Sequence, residues 1–167
     1  MKCFIRVVVG LGMSFGVAFP AWAATASATM TISAAVAGAC SVTASPISFG
    51  ASIPNAIVSN IDAQGAITAS CATGTPYTIR LNAGIGAGAT LAARRMRAQG
   101  TAATMAYALY TDPARSTIWG DGTGGSSFFS NTANGSNQQV PVYGRIPSGQ
   151  TVVNGNYFDT VTVTITF

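Results

Sequence analysis

TVTVTITF, residues 160–167, alternates strictly: Val161, Val163, Ile165 and Phe167 fall on one face of an extended chain, and Thr160, Thr162, Thr164 and Thr166 on the other. A period of two marks a half-buried β-strand. The same pattern stands near the other end, where Ala26, Ala28, Met30, Ile32, Ala34 and Val36 oppose Thr25, Ser27, Thr29, Thr31 and Ser33. A domain that begins with a free extended segment and closes on a strand has the parts needed to lend a strand to a neighbour. This points to a polymer subunit and away from an enzyme.

Ahead of the first alternating segment stands a secretion signal. Lys2 and Arg6 supply a positive start, residues 7–19 an apolar run, and Ala21-Trp22-Ala23 a small-x-small cleavage site. The run is shorter than the ~20 residues a membrane-spanning helix needs. The expected organisation is therefore a signal peptide over 1–23 followed by a mature chain of one domain from residue 24.

After removal of the signal the charge is six arginines against four aspartates, with no lysine, glutamate or histidine. A weak positive balance without a basic patch argues against nucleic acid as a partner. The cluster Arg94-Arg95-Met96-Arg97 reads as a solvated hairpin edge. Without histidine there is neither a Ser-His-Asp nor a Cys-His apparatus, nor a histidine metal ligand. Asp62, Asp112, Asp121 and Asp159 all stand beside turn residues or strand starts, where aspartate bonds its own backbone. Gly120-x-Gly122-x-x-Gly125 matches a dinucleotide fingerprint by letters, but no helix pattern follows it, so it reads as a surface turn. No catalytic residue, cofactor, metal or small-molecule substrate is expected.

Cys40 and Cys71 are the pair left after export, and an even pair in an exported chain reads as one disulfide. Strands are expected over 26–43 with a break near Gly38, over 57–71 in two pieces around Gln64-Gly65, and over 77–81, 94–97, 105–110, 118–119, 128–129, 138–143 and 157–167. Turn signals separate them: Pro46, Pro54-Asn55, Gly74-Thr75-Pro76, Asp112-Pro113, Gly120-Asp121-Gly122, Asn134-Gly135, Pro147-Ser148-Gly149 and Asn154-Gly155. Short strands at this spacing predict an all-β sandwich.

Five strings, CSVTASPISFG (40–50), ITASC (67–71), MAYALYTDPARSTIWGDG (105–122), VPVYGRIPSGQ (140–150) and GNYFDTVTVTITF (155–167), together resemble the spore coat protein U domain. That domain is shared with Csu-type subunits of the archaic chaperone-usher pili of Gram-negative bacteria. The resemblance implies an incomplete immunoglobulin-like sandwich that lacks its final strand and is completed by donor-strand complementation. It implies a periplasmic pilus chaperone, an outer-membrane usher and other pilin subunits as partners, with Sec-dependent export to the periplasm and then display in a cell-surface fimbria serving adhesion and biofilm formation.

Carried over residue by residue, Cys40 and Cys71 match the family's paired cysteines. Residues 24–33 match the family's donor extension ahead of a domain over 34–167, with Ala26, Ala28, Met30 and Ile32 as the donor-strand side chains that enter the acceptor groove. Val161, Val163, Ile165 and Phe167 form the edge strand of the acceptor groove, with Phe167 as a core-facing ring. Tyr107, Tyr110, Trp119, Tyr143 and Tyr157 fall at the family's aromatic positions, where packing is their expected role. Two other readings compete: a self-associating spore-coat or envelope protein, and a secreted carbohydrate-binding sandwich that needs Trp119, Phe128 and Phe129 exposed together.

Overall fold

The computed structural model describes residues 29–34 and 38–167. The chain divides into an N-terminal unit, Met1–Ala35, and a domain, Val36–Phe167. Residues 29–34 of the first unit are exposed and form no strand. The signal peptide expected over 1–23, and donor positions Ala26 and Ala28, lie outside the described residues.

Apolar alternation builds the strands of the domain. They are β1 (Cys40–Ala44), β2 (Ala56–Ile57), β3 (Ile61–Cys71), β4 (Pro76–Leu81), β5 (Arg94–Ala98), β6 (Thr104–Tyr110), β7 (Phe129–Thr132), β8 (Gln138–Ile146), β9 (Gln150–Thr151), β10 (Tyr157–Phe158) and β11 (Val163–Thr166). Six of them form one sheet in the order β1-β3-β8-β6-β5-β10, three form a second in the order β11-β4-β7, and β2 pairs with β9. Every ladder between these strands is antiparallel. The longest joins β3 to β8, with Ile61 opposite Ile146 and Ala69 opposite Gln138.

The inner faces of the two large sheets share one core. Ile67 and Ala69 of β3, Val140, Val142 and Ile146 of β8, and Met105, Tyr107 and Leu109 of β6 meet Tyr77, Ile79 and Leu81 of β4. Trp119 is wholly buried between the sheets. Its indole Nε1–H donates to the Ile79 carbonyl at 3.1 Å, and its backbone N–H donates to the Leu109 carbonyl at 2.8 Å, so one residue ties both layers. The strand expected over 118–119 is thus a pair of isolated bridges, Tyr110 to Ile118 and Trp119 to Ser127.

Three further expectations need correction. The break expected at Gln64-Gly65 is absent, and β3 runs through it. Gly65 serves a close approach there: a Cβ would stand 2.5 Å from Ile47 Cγ1, and at Gly144 a Cβ would stand 2.9 Å from Phe49 Cζ. Of the strand expected over 26–43 with a break near Gly38, residues 40–43 lie in β1, whereas 29–34 form no strand and find no partner strand among the described residues. The strand expected over 157–167 is two strands in different sheets, β10 on β5 and β11 on β4. Between them, over residues 159–162, the chain crosses from one layer to the other, and alternation alone carries no sign of such a crossing.

Cys40 lies directly opposite Cys71 in the β1–β3 ladder, and the two are disulfide-bonded with Cα atoms 4.1 Å apart. Placement at the first rung fastens an edge strand at its entry point.

Candidate functional site

β11 lies at the edge of its sheet, and among the described residues no strand pairs with its outer side. Val161, Val163 and Ile165 are half-buried against the core, whereas the intervening threonines are exposed. Beside this edge opens a cavity of about 490 Å³, floored by Ile67, Leu81, Leu109 and Val142 and walled by Val161 and Val163. A second cavity of about 410 Å³ continues it and shares Ile47, Phe49, Met96 and Tyr157 with the first.

The opposite wall is the segment 46–53. Ser45 closes β1 by accepting from the Ala66 N–H at 2.8 Å and donating its hydroxyl to the Ala66 carbonyl at 3.1 Å. Past that point the chain leaves the ladder, with Ile47, Phe49 and Ile53 packed on the core through side chains alone. A trough, apolar in its first cavity and edged by Ser48, Ser52, Asn55 and Asn154 in its second, is therefore flanked by two lengths of backbone that lack sheet partners among the described residues. Such an arrangement accepts an extended segment through main-chain hydrogen bonds and alternate side chains.

A polar pair stands in the wall of the first cavity. The Tyr107 hydroxyl donates to Asp159 Oδ2 at 2.7 Å, and Asp159 Oδ1 accepts from the backbone N–H groups of Ile85 and Thr160, each at 2.8 Å. Asn82 completes the tie, its side-chain oxygen accepting from the Thr162 N–H at 2.8 Å and its own N–H donating to the Thr162 carbonyl at 3.2 Å. The sheet-to-sheet crossing is thereby pinned to the loop after β4. Burial, then the bond to Asp159, drives the Tyr107 phenol well above its ordinary range.

Arg94 departs from the solvated edge expected of it, since its side chain is 0% exposed. Its guanidinium donates to the carbonyls of Asn82 (3.0 Å), Leu91 (3.0 Å) and Trp119 (2.7 Å). Desolvation lowers its pKa, with Tyr107 and Asp159 acting in the opposite sense. A planar fork can serve three carbonyls at once, which is why arginine suits a buried site of this kind. Arg145 and Arg115 instead hold Asp62 on the outside of the larger sheet, at 2.7 Å and 3.2 Å. The Arg145 hydrogen bond holds the Asp62 carboxyl below its usual range.

Met30 and Ile32 are 81% and 82% exposed and belong to no strand. Val163 and Ile165 lie in β11 and Val161 just ahead of it. Phe167 does not carry the core-facing ring expected of it and is 57% exposed. The ladder ends at Thr166 opposite Thr78, so nothing holds the next residue to the inward face. The aromatic trio required by a carbohydrate-binding face is not assembled. Trp119 is buried and Phe129 packs against the core, which leaves Phe128 alone at the surface, with the Arg80 guanidinium 4.2 Å from its ring centroid. Sequence reasoning missed Arg94 and the 46–53 wall. The apolar pair Ile47-x-Phe49 after Pro46 was the available signal for the wall, whereas burial of Arg94 left no trace in its neighbours.

Comparison with known proteins gives concordant findings. The family model for the Spore Coat Protein U domain matches residues 26–164. Protein U of Myxococcus xanthus is 37% identical over 160 residues, which cover 89% of this chain and 88% of that protein. Among solved structures, a chain of the CsuC-CsuE chaperone-tip adhesion subunit pre-assembly complex, from archaic chaperone-usher Csu pili of Acinetobacter baumannii, superposes with a TM-score of 0.56. Identity there is 23%; the match covers 79% of this chain and spans 40% of the length of that one. The likeness extends to the fold, an all-β immunoglobulin-like sandwich.

Proposed function

This chain belongs to the Spore Coat Protein U domain family, and from that membership we propose that it is a structural subunit of a surface fimbria, assembled by the chaperone-usher pathway through donor-strand exchange. The observation that carries the reading is the unpaired outer edge of β11 beside an apolar trough. Left uncovered, such a trough invites aggregation, because apolar surface and free backbone groups are exposed together. A periplasmic chaperone covers it first, and the outer-membrane usher then exchanges that cover for the extension of the next subunit. Ala26, Ala28, Met30 and Ile32 of the incoming subunit are the inward side chains. Val161, Val163 and Ile165 form the receiving edge, and the Cys40–Cys71 bridge holds the receiving domain closed where its own extension departs. The role is mechanical, so the trough needs no reactive group. The fibre is displayed on the cell surface, where it serves adhesion and biofilm formation.

The test compares the chain with the same chain carrying a second copy of residues 24–36 after Phe167. A fusion that is monomeric and melts well above a self-associating parent supports the reading. Equal stability and equal monomeric behaviour would refute it. Loss of surface fibres and of attachment to plastic in a deletion strain tests the adhesive role. The family's description also favours a second reading, a self-associating coat or envelope protein. Assembly in cells that lack any usher would decide for it.

A further inference from the structure

Tyr107 and Asp159 both line the first cavity, each two residues along the chain from one that lines the second, Met105 and Tyr157. Along β6, Leu109 lines the first cavity and Met105 the second, with Tyr107 between them. Along the other wall Val163, Val161 and Asp159 line the first cavity, and Tyr157 lines both. The hydrogen bond between the phenol and the carboxylate therefore sets a polar bar across the end of the first cavity that faces the second. The bar cannot swing aside easily. Asp159 is held by two backbone N–H groups, Gly84 has no room for a Cβ against it, and Phe49 meets Tyr107 edge-on at 6.2 Å between ring centroids. Arg94 is buried close by with its donors engaged by carbonyls.

Resting on the strand-exchange reading, we infer that the Tyr107–Asp159 pair is a size filter that fixes donor register: it receives Ala34 of a second copy, while Ile32 and Met30 of that copy fill the apolar compartment. Inward positions on an extended segment recur every second residue, so Met30, Ile32 and Ala34 run large, large, small. Every ladder in the domain is antiparallel, and that mode is the more stable per residue. A donor antiparallel to β11 sets Met30 toward Val163, Ile32 toward Val161 and Ala34 toward Asp159. That order matches an apolar compartment ending at a rigid polar bar. Met30, Ile32 and Ala34 are all exposed in their own chain and free of any strand. A long apolar side chain at the Ala34 position would have to displace the tyrosine or bury the carboxylate's free lone pair unsatisfied.

The experiment titrates the purified chain with fluorescent peptides of residues 24–36 and reads anisotropy. The wild-type peptide binds. A peptide with Met30→Ala and Ile32→Ala weakens by tenfold or more, and an Ala34→Leu peptide weakens by about tenfold through overpacking. An Ala28→Leu peptide loses clearly less affinity than the Ala34→Leu one, because that inward position lies beyond the bar's reach. A Tyr107→Val chain, its fold checked by circular dichroism, takes the Ala34→Leu peptide as well as the wild-type one. If Ala34→Leu binds the unaltered chain like wild type, the filter is overturned and strand exchange stands. If Ala28→Leu is the peptide that fails, the donor runs parallel and the register is overturned. If the wild-type peptide does not bind, both fall.

Discussion

Replacing both Cys40 and Cys71 by alanine tests how the domain's entry strand is held. The bridge joins residues 31 apart, and closing a loop of that length restricts the unfolded chain by about 3.7 kcal/mol at 25 °C in the chain-entropy model. For a domain of this size, roughly 3 °C accompanies each kcal/mol, so the melting temperature falls by about 11 °C. The structure adds a local expectation. β1 is an edge strand of five residues whose one ladder partner is β3, and the bridge sits at its first rung. Without the bridge β1 frays first, and the 46–53 wall that follows it loosens, so the amides of Val42 and Ala44 exchange faster than those of β8. Guanidinium unfolding of the variant, and of the unaltered chain with and without reductant, measures the global term, and hydrogen exchange measures the local one. A loss below about 1 kcal/mol would refute the loop-closure argument, because it would mean the reduced chain keeps β1 against β3 even when unfolded.

Arg94→Ala strands the carbonyls of Asn82, Leu91 and Trp119 and destabilises by on the order of 3 kcal/mol, whereas Arg94→Lys recovers little because an ammonium cannot fork; denaturant midpoints decide both. Asp62 titrates below its unfolded value, so its pairing stabilises above about pH 4 and is lost as pH falls through the lower folded value; an Asp62→Asn chain has a flatter midpoint-against-pH curve between about pH 5 and 2. Gly65→Ala drives a methyl into Ile47 and costs about 1–3 kcal/mol; strand-peptide affinity falls with it, since the same contact seats the trough wall, and unchanged affinity would show that the wall plays no part.

Strand identity was legible because alternation is local. Val163, Ile165 and the alternating residues of β4 and β8 announce an extended, half-buried chain to any reader of the sequence. The cysteine pair was legible for a different reason, since export and an even count leave one partner each. What a strand pairs with depends on residues far along the chain, and there the sequence was mute. It showed 157–167 as a single strand, while the fold divides it between two sheets with Asp159 at the crossing. It showed Arg94 as one of three surface arginines, while β5 turns that one beneath the loop after β4, where three carbonyls are waiting. Gly65 read as a break, and proved to be the space into which Ile47 packs.

By itself, then, the sequence determined the all-β class, the disulfide pair and the apolar face of the terminal strand, all set by short-range covalent geometry and composition. Only the tertiary structure decided which edge stays open, where the trough is barred and which charge is buried. Those outcomes depend on what each backbone group and side chain meets across the sandwich, and hydrogen bonding and desolvation settle them only once distant segments have come together.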